Sequence, residues 1–150
     1  MLVTIKRIDK TLPLPRHETA GAVAFDLIAR ETMTVAPDAI ALVPANIVVC
    51  TPPGYMLMIV ARSSLARKKN LILPNAVGII DQDYCGPDDE LLIQLLNIGK
   101  IPTAVERGER IGQALFIKIE RAEWNEVEKL DGKSRGSFGS TGGYISQPKS

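Results

Sequence analysis

LLIQLL, Leu91 to Leu96, places an aliphatic side chain at every position except Gln94. Successive residues of a strand point to opposite faces, so this run is apolar on both, and in a small antiparallel protein the second face must be covered. Two covers stay open: a neighbouring subunit, which makes the protein an oligomer, or an ordinary two-sheet sandwich in which this strand is central. Outward from it, 12 glycines and 10 prolines are scattered along 150 residues and separate short segments rich in Val, Ile and Leu, the pattern of many strands and turns. Strands are expected near 2–8, 22–29, 40–50, 54–61, 71–80, 90–97 and 110–120. In FIKIE, Phe116 to Glu120, apolar and polar residues alternate, as in a strand with one buried and one wet face. SSLARKK, Ser63 to Lys69, is the one helical stretch, a couple of turns with a serine placed to cap it. The expected fold class is all-β, a sandwich or barrel with one short helix.

A chain of 150 residues fits one domain and can bury a core without staples. Its 18 basic and 17 acidic residues leave a net charge of +1, so bulk electrostatics selects neither nucleic acid nor a membrane surface as partner. Any bound anion is held by local groups. MLVTIKRIDK at the N-terminus is charged too early for a signal peptide, and no apolar run reaches membrane-span length, which predicts a soluble cytoplasmic protein. Cys50 and Cys85, far apart in such a chain, are expected as reduced thiols, with Cys50 a small core residue closing NIVVC. His17 is the only histidine, so neither a His/Cys metal cluster nor a Ser-His-Asp triad is expected within one chain.

Four stretches carry candidate chemistry. NAVGIIDQDYCG, Asn75 to Gly86, sets Asp81, Asp83 and Tyr84 at the end of an apolar strand, on an exposed but rigid support. Asx residues beside glycine also make plain turns, but Asp81 directly follows VGII and is expected half-buried, fixed well enough to orient and deprotonate a water. ARSSLAR, Ala61 to Arg67, puts Arg62, Ser63 and Ser64 at the start of the helix, suited either to capping it or to binding a phosphate. ERIGQALF, Glu109 to Phe116, interrupts an apolar strand with Gln113, whose amide needs partners in the protein or a ligand. KSRGSFGSTGGY, Lys133 to Tyr144, is either a flexible terminus or a lid whose Arg135 and Phe138 meet a phosphorylated, aromatic ligand.

In order and spacing these stretches resemble the five motifs of the trimeric deoxyuridine triphosphatase family: AGAVAFDLIA, ARSSLA, NAVGIIDQDYCG, GERIGQALF and RGSFGSTG. The resemblance spans almost the whole chain. It implies a jelly-roll-like homotrimer that hydrolyses dUTP to dUMP and pyrophosphate with Mg2+, each active site being built from three chains. By motif, Asp81 would activate the water that attacks the α-phosphorus, and Tyr84 would lie against the deoxyribose and exclude a 2′-hydroxyl. Asn75 and the backbone of the following hairpin, including Gly78 and Ile80, would hydrogen-bond uracil and reject cytosine. Arg62, Ser63, Ser64 and Gln113 would contact the phosphates, and Asp26 would support the magnesium through water. Phe138 would stack on uracil, Arg135 would meet the γ-phosphate, and Gly139, Ser140 and Thr141 would wrap the phosphate chain. The implied division is a β domain over 1–130 and a mobile lid over 131–150.

The chain departs from the family pattern at three places. RGSFG is shorter than usual, so Lys133 competes with Arg135 for the γ-phosphate; Ser64 and Ala61 replace a glycine and a proline of the second motif; and CGPDDE lengthens the third. RSSLAR is also similar to the related dCTP deaminases, but their catalytic glutamate would fall near Gln94, and an amide cannot shuttle a proton. A catalytically idle nucleotide-binding trimer is the remaining alternative, which the joint presence of Asp81, Tyr84 and Phe138 disfavours.

Overall fold

The computed structural model describes residues 1–137. Among them the chain forms β1 (Thr4–Arg7), β2 (Phe25–Ile28), β3 (Met33–Val35), β4 (Ile40–Pro44), β5 (Ile47–Cys50) and β6 (Tyr55–Val60), then α1 (Leu65–Lys69). There follow β7 (Leu71–Ile72), β8 (Val77–Ile80), β9 (Leu92–Asn97), β10 (Thr103–Val105) and β11 (Arg110–Lys118). Every strand pairing is antiparallel. The larger sheets have the orders β2-β11-β6-β8 and β4-β9-β7, and two strand pairs, β1-β5 and β3-β10, complete the fold. The two larger sheets pack face to face at Gly112, where an added Cβ would stand 3.0 Å from Cδ1 of Ile93 on β9, so the residue there must be small.

Two of the expected strands break at corners, and the corners make the sandwich. The stretch 40–50 divides at Asn46, whose φ of 67° lies in the left-handed region that Asn tolerates better than most residues. Its buried side chain holds the corner: Oδ1 accepts from the Asp9 N–H at 2.6 Å and Nδ2 donates to the Asp9 carbonyl at 3.1 Å. The stretch 71–80 divides likewise, β7 pairing with β9 in one sheet and β8 with β6 in the other. The turn between them carries Ala76 at φ 61°, a strained conformation for alanine. Strands β3 and β10, three residues each, are too short to show a periodicity in sequence.

LLIQLL turns out to alternate. Leu91, Ile93 and Leu95 are buried against the facing sheet, while Leu92 and Gln94 are exposed and Leu96 is half-buried. Across the β4–β9 ladder Ile40 opposes Leu96 and Leu42 opposes Gln94. Ile40, Leu42 and Leu92, 57%, 51% and 45% exposed, therefore form an apolar patch on the outer face of this sheet. The sandwich covers one face of β9 and leaves the other open in the single chain.

The helix is shorter than expected. Ser64 stands at its N-cap position without a side-chain capping bond, and Asn70 ends it at φ 54° with its N–H on the Ala66 carbonyl. Contacts divide the chain into Met1–Glu120, which holds all the strands, and a second unit beginning at Arg121. Residues 121–137 of that unit form no helix or strand and are all exposed. Among the described residues no helix is long and apolar enough to cross a membrane.

Candidate active site

Three adjacent strands build the first half of the site. On the central strand β11, Gln113 lies opposite Asp26 of β2 on one side and Val60 of β6 on the other, so Asp26, Gln113 and the segment leaving β6 come together in one row. Arg62, two residues past β6, reaches back into it: its Nε lies 2.9 Å from Oδ1 of Asp26. Nη1 of Arg110 is 3.2 Å from Oδ2 of the same carboxylate, and Nη2 of Arg110 binds Glu18 at 2.9 Å. The Gln113 amide donates to the Ala61 carbonyl at 2.9 Å, which supplies the partner that a polar group on this strand needs. A cleft of about 310 Å³ opens beside the row, lined by Arg62, Ser64, Lys68, Lys69, Glu109 and Arg110. Its four cations include Arg62, Arg110 and Lys69, which Asp26, Glu18 and Glu109 hold in place, so the cleft presents oriented charge of the kind that suits an anion. α1 has only five residues, so the groups this cleft offers an anion are guanidinium, ammonium and hydroxyl groups rather than a helix dipole.

Asp81 and Tyr84 stand elsewhere. β8 is the edge of its sheet opposite β2, and it runs from Val77, beside Val60, to Ile80, beside Leu57. Asp81 thus leaves β8 at the end of β6 away from Arg62, with at least about 10 Å of strand between them. Asp81 is exposed rather than half-buried, on the same outward face as Val77 and Ile79; the strand turns Gly78 and Ile80 inward instead. A glycine suits that inward position, since a Cβ there would lie 3.2 Å from Cβ of Ile59. The turn after β8 is nonetheless anchored. Gln82 points back and donates to the Tyr55 carbonyl at 2.9 Å, and the Tyr84 hydroxyl donates to the Glu90 carbonyl at 3.1 Å. The Glu90 carboxylate is in turn held by Arg30 at 2.8 and 3.0 Å and by the Asn46 N–H.

Cys85, next to Tyr84, is not a free thiol. It forms a disulfide with Cys50 at the end of β5, with the Cα atoms 5.0 Å apart. A sequence separation of 35 residues hid this pairing, because the corner at Asn46 and the lengthened third motif bring the two together only in the folded chain. The expected thiol state is therefore corrected: no cysteine is free.

The described residues offer no group of three or more His, Cys, Asp or Glu able to hold a metal. Asp26, the expected metal partner, has both oxygens engaged by guanidinium groups. That donor set fits a cation carried in by phosphate oxygens better than a cation caged by protein. Sequence reasoning passed over Arg110 and Glu18, although Arg110 stands inside GERIGQALF, and a cationic residue three before Gln113 was a readable signal. Phe138, Gly139, Ser140 and Thr141 lie outside the described residues; Arg135 is described and exposed.

The fold is all-β and jelly-roll-like and carries an arginine–carboxylate row and a braced Asp–Tyr turn; comparison with known proteins gives its enzyme class. The dUTPase family model matches residues 10–142. The deoxyuridine 5′-triphosphate nucleotidohydrolase of Thermobifida fusca is 39% identical over 95% of this chain and 79% of its own, and that of Dictyoglomus turgidum is 38% identical over 93% and 97%. The crystal structure of the Streptococcus mutans dUTPase superimposes with a TM-score of 0.74 at 32% identity, over 80% of this chain and 98% of its own. Staphylococcus bacteriophage 80alpha dUTPase with dUPNHPP, 23% identical, shares the fold with a TM-score of 0.82 over 94% of this chain and 98% of its own. The chain belongs to the dUTPase family.

Proposed function

We propose that the protein hydrolyses dUTP to dUMP and pyrophosphate, through attack of an Asp81-activated water on the α-phosphorus, with no covalent enzyme intermediate. The observation that carries this reading is Asp81 itself, an open carboxylate at the end of a strand whose next residues, Gln82 and Tyr84, are tied down. A base so placed has a free approach for water and a fixed direction. Asn75 and the backbone of β8, Gly78 and Ile80 included, take the uracil edge, and Tyr84 closes the space that a ribose 2′-hydroxyl would need. The nucleoside then runs along β8 with its phosphates at the Asp81 end.

The cationic row of Arg62, Ser63, Ser64 and Gln113 lies toward the other end of β6, so one chain does not present both halves to one triphosphate. We therefore propose that copies share each site, and the open apolar face of Ile40, Leu42 and Leu92 supports assembly, as a homotrimer. The C-terminal residues Arg135, Phe138, Gly139, Ser140 and Thr141 act as the lid, stacking on the base and neutralising the γ-phosphate, with Lys133 the alternative cation. Mg2+, bound to the triphosphate, neutralises phosphate charge and makes the α-phosphorus more electrophilic. Asp26, whose own oxygens serve the arginines, would support it through water. In a cytoplasmic setting the reaction keeps uracil out of DNA and supplies dUMP for thymidylate synthesis.

The deaminase reading gains nothing from the fold, since Gln94 is an exposed amide on the outer face of β9. The test is product chromatography after incubating the protein and Mg2+ with dUTP, dCTP, dTTP and UTP in turn. Pyrophosphate and dUMP from dUTP alone is the expected result. Uracil nucleotides from dCTP would establish the deaminase, and no product from any of the four would leave a nucleotide-binding protein.

A further inference from the structure

We infer that the Cys50–Cys85 disulfide is a positioning element for Tyr84 and thereby sets discrimination between deoxyribose and ribose. The inference rests on the proposed role of Tyr84 against the sugar. The segment from Asp81 to Glu90 lacks strand pairing and is secured by contacts at a few of its residues, the strongest of them at Glu90. Most of these act on its far side or on the Asp81 side: Gly86 N–H to Asp89 Oδ2, Lys6 to the Pro87 carbonyl, Glu90 to Arg30, and Gln82 to the Tyr55 carbonyl. Tyr84 makes one side-chain hydrogen bond, 3.1 Å from its hydroxyl to the Glu90 carbonyl. That bond fixes the hydroxyl end of the ring, because Arg30 and the Asn46 N–H hold Glu90, and leaves the Cα end to the loop backbone.

The covalent link from the neighbouring residue holds that Cα end. Cys85 is joined to Cys50 at the end of β5, a strand whose preceding residues Ile47, Val48 and Val49 are buried in the core. The disulfide thus transfers the rigidity of the core to the residue beside Tyr84. Steric exclusion of one hydroxyl needs the ring held closely, because a wall that yields excludes nothing. Gln82, anchored independently to Tyr55, keeps Asp81 in place when the link is open. The disulfide therefore governs sugar discrimination more than the chemical step.

Both cysteines are only half-buried, so dithiothreitol can reach them. Its two thiols pass two electrons and two protons to the Sγ atoms of Cys50 and Cys85, and it closes to its own cyclic disulfide. The full-length protein would be assayed oxidised, after reduction, after re-oxidation, and as the Cys50→Ser/Cys85→Ser double variant, with thiols titrated in each sample. kcat and KM are measured for dUTP and UTP with Mg2+, and calorimetry gives the affinities of dUpNHpp and its ribose counterpart. We expect the dUTP-over-UTP preference, in kcat/KM and in affinity, to fall about tenfold on reduction and in the double variant. Turnover of dUTP at saturation should change less than twofold. Re-oxidation should restore the preference in the native protein only. A preference that stays constant while thermal stability falls would reduce the bond to a structural staple and overturn the inference, as would two free thiols per chain in the untreated protein. If no dUTP is hydrolysed in any state, the catalytic reading fails, and the affinity ratio still decides this one.

Discussion

Asp81, the proposed base, shows why a candidate residue can be legible in sequence while its environment is not. The run VGII suggests a half-buried base, but on β8 the period of two sends Gly78 and Ile80 inward and Asp81 outward with Val77 and Ile79. Its fixation comes from neighbours: Gln82 on the Tyr55 carbonyl and the network through Tyr84, Glu90 and Arg30. Asp81→Asn removes the base and keeps the turn. Turnover of dUTP should fall by about two to four orders of magnitude with dUpNHpp affinity nearly unchanged, as measured by steady-state kinetics and calorimetry. Near-normal turnover would take the role of base away from Asp81. Gln113 was readable as a polar interruption of β11, and Asp26 as part of a motif; their union with Arg62 was not, because it arises from cross-strand register.

At the scale of elements, the connections carry as much as the strands. The loop after β1 is clamped to the β10–β11 turn by Asp9, which accepts from Arg107 at 2.6 Å and from the hydroxyl and N–H of Thr11 at 2.6 and 2.8 Å. The Arg107 hydrogen bond first, and Thr11 next, hold its carboxyl well below the usual carboxylate range. A folded-state value depressed in this way stabilises the protein fully above the unfolded value of about 4, and the benefit fades as pH falls through and below it. Asp9→Asn should lower the melting temperature slightly at pH 7, since the pair is partly exposed. The gap to the native protein should narrow at pH 2 in calorimetric scans; a gap that widened in acid would refute the clamp. The C-terminal segment belongs to this scale too. Deleting residues 133–150 should abolish dUTP hydrolysis and leave the melting temperature of the β domain within a few degrees, because residues 121–137 form no helix or strand and are all exposed. Retained activity would make the segment a simple terminus.

For the whole molecule, the apolar face of β4 and β9 and the proposed sharing of the site lead to one conclusion. Ile40, Leu42 and Leu92 face outward, and Asp81 leaves β8 at the end of the β6–β8 pair opposite to that where Arg62 follows β6. A copy seated on that face would bury the patch and could deliver the missing half of each site. Leu92→Lys should therefore shift the mass seen by light scattering from trimer toward monomer and reduce turnover at low protein concentration, while the monomer keeps its β circular dichroism. A monomeric native protein with full activity would overturn this reading.

Strand content, the five motifs and the choice of Asp81, Tyr84, Arg62 and Gln113 as candidates came from the sequence alone, because alternation, Gly/Pro punctuation and motif spacing are local properties that a linear reading captures. Tertiary structure decided what depends on distant partners. Left-handed corners at Asn46 and Ala76 divide two long apolar runs between sheets, and Ile93 over Gly112 closes the sandwich. Register gathers Asp26, Arg62 and Gln113, and a loop carries Cys85 to Cys50. Each of these joins residues far apart in the chain, and the energy that brings them together, mostly apolar burial, carries no direction until the sheets are packed.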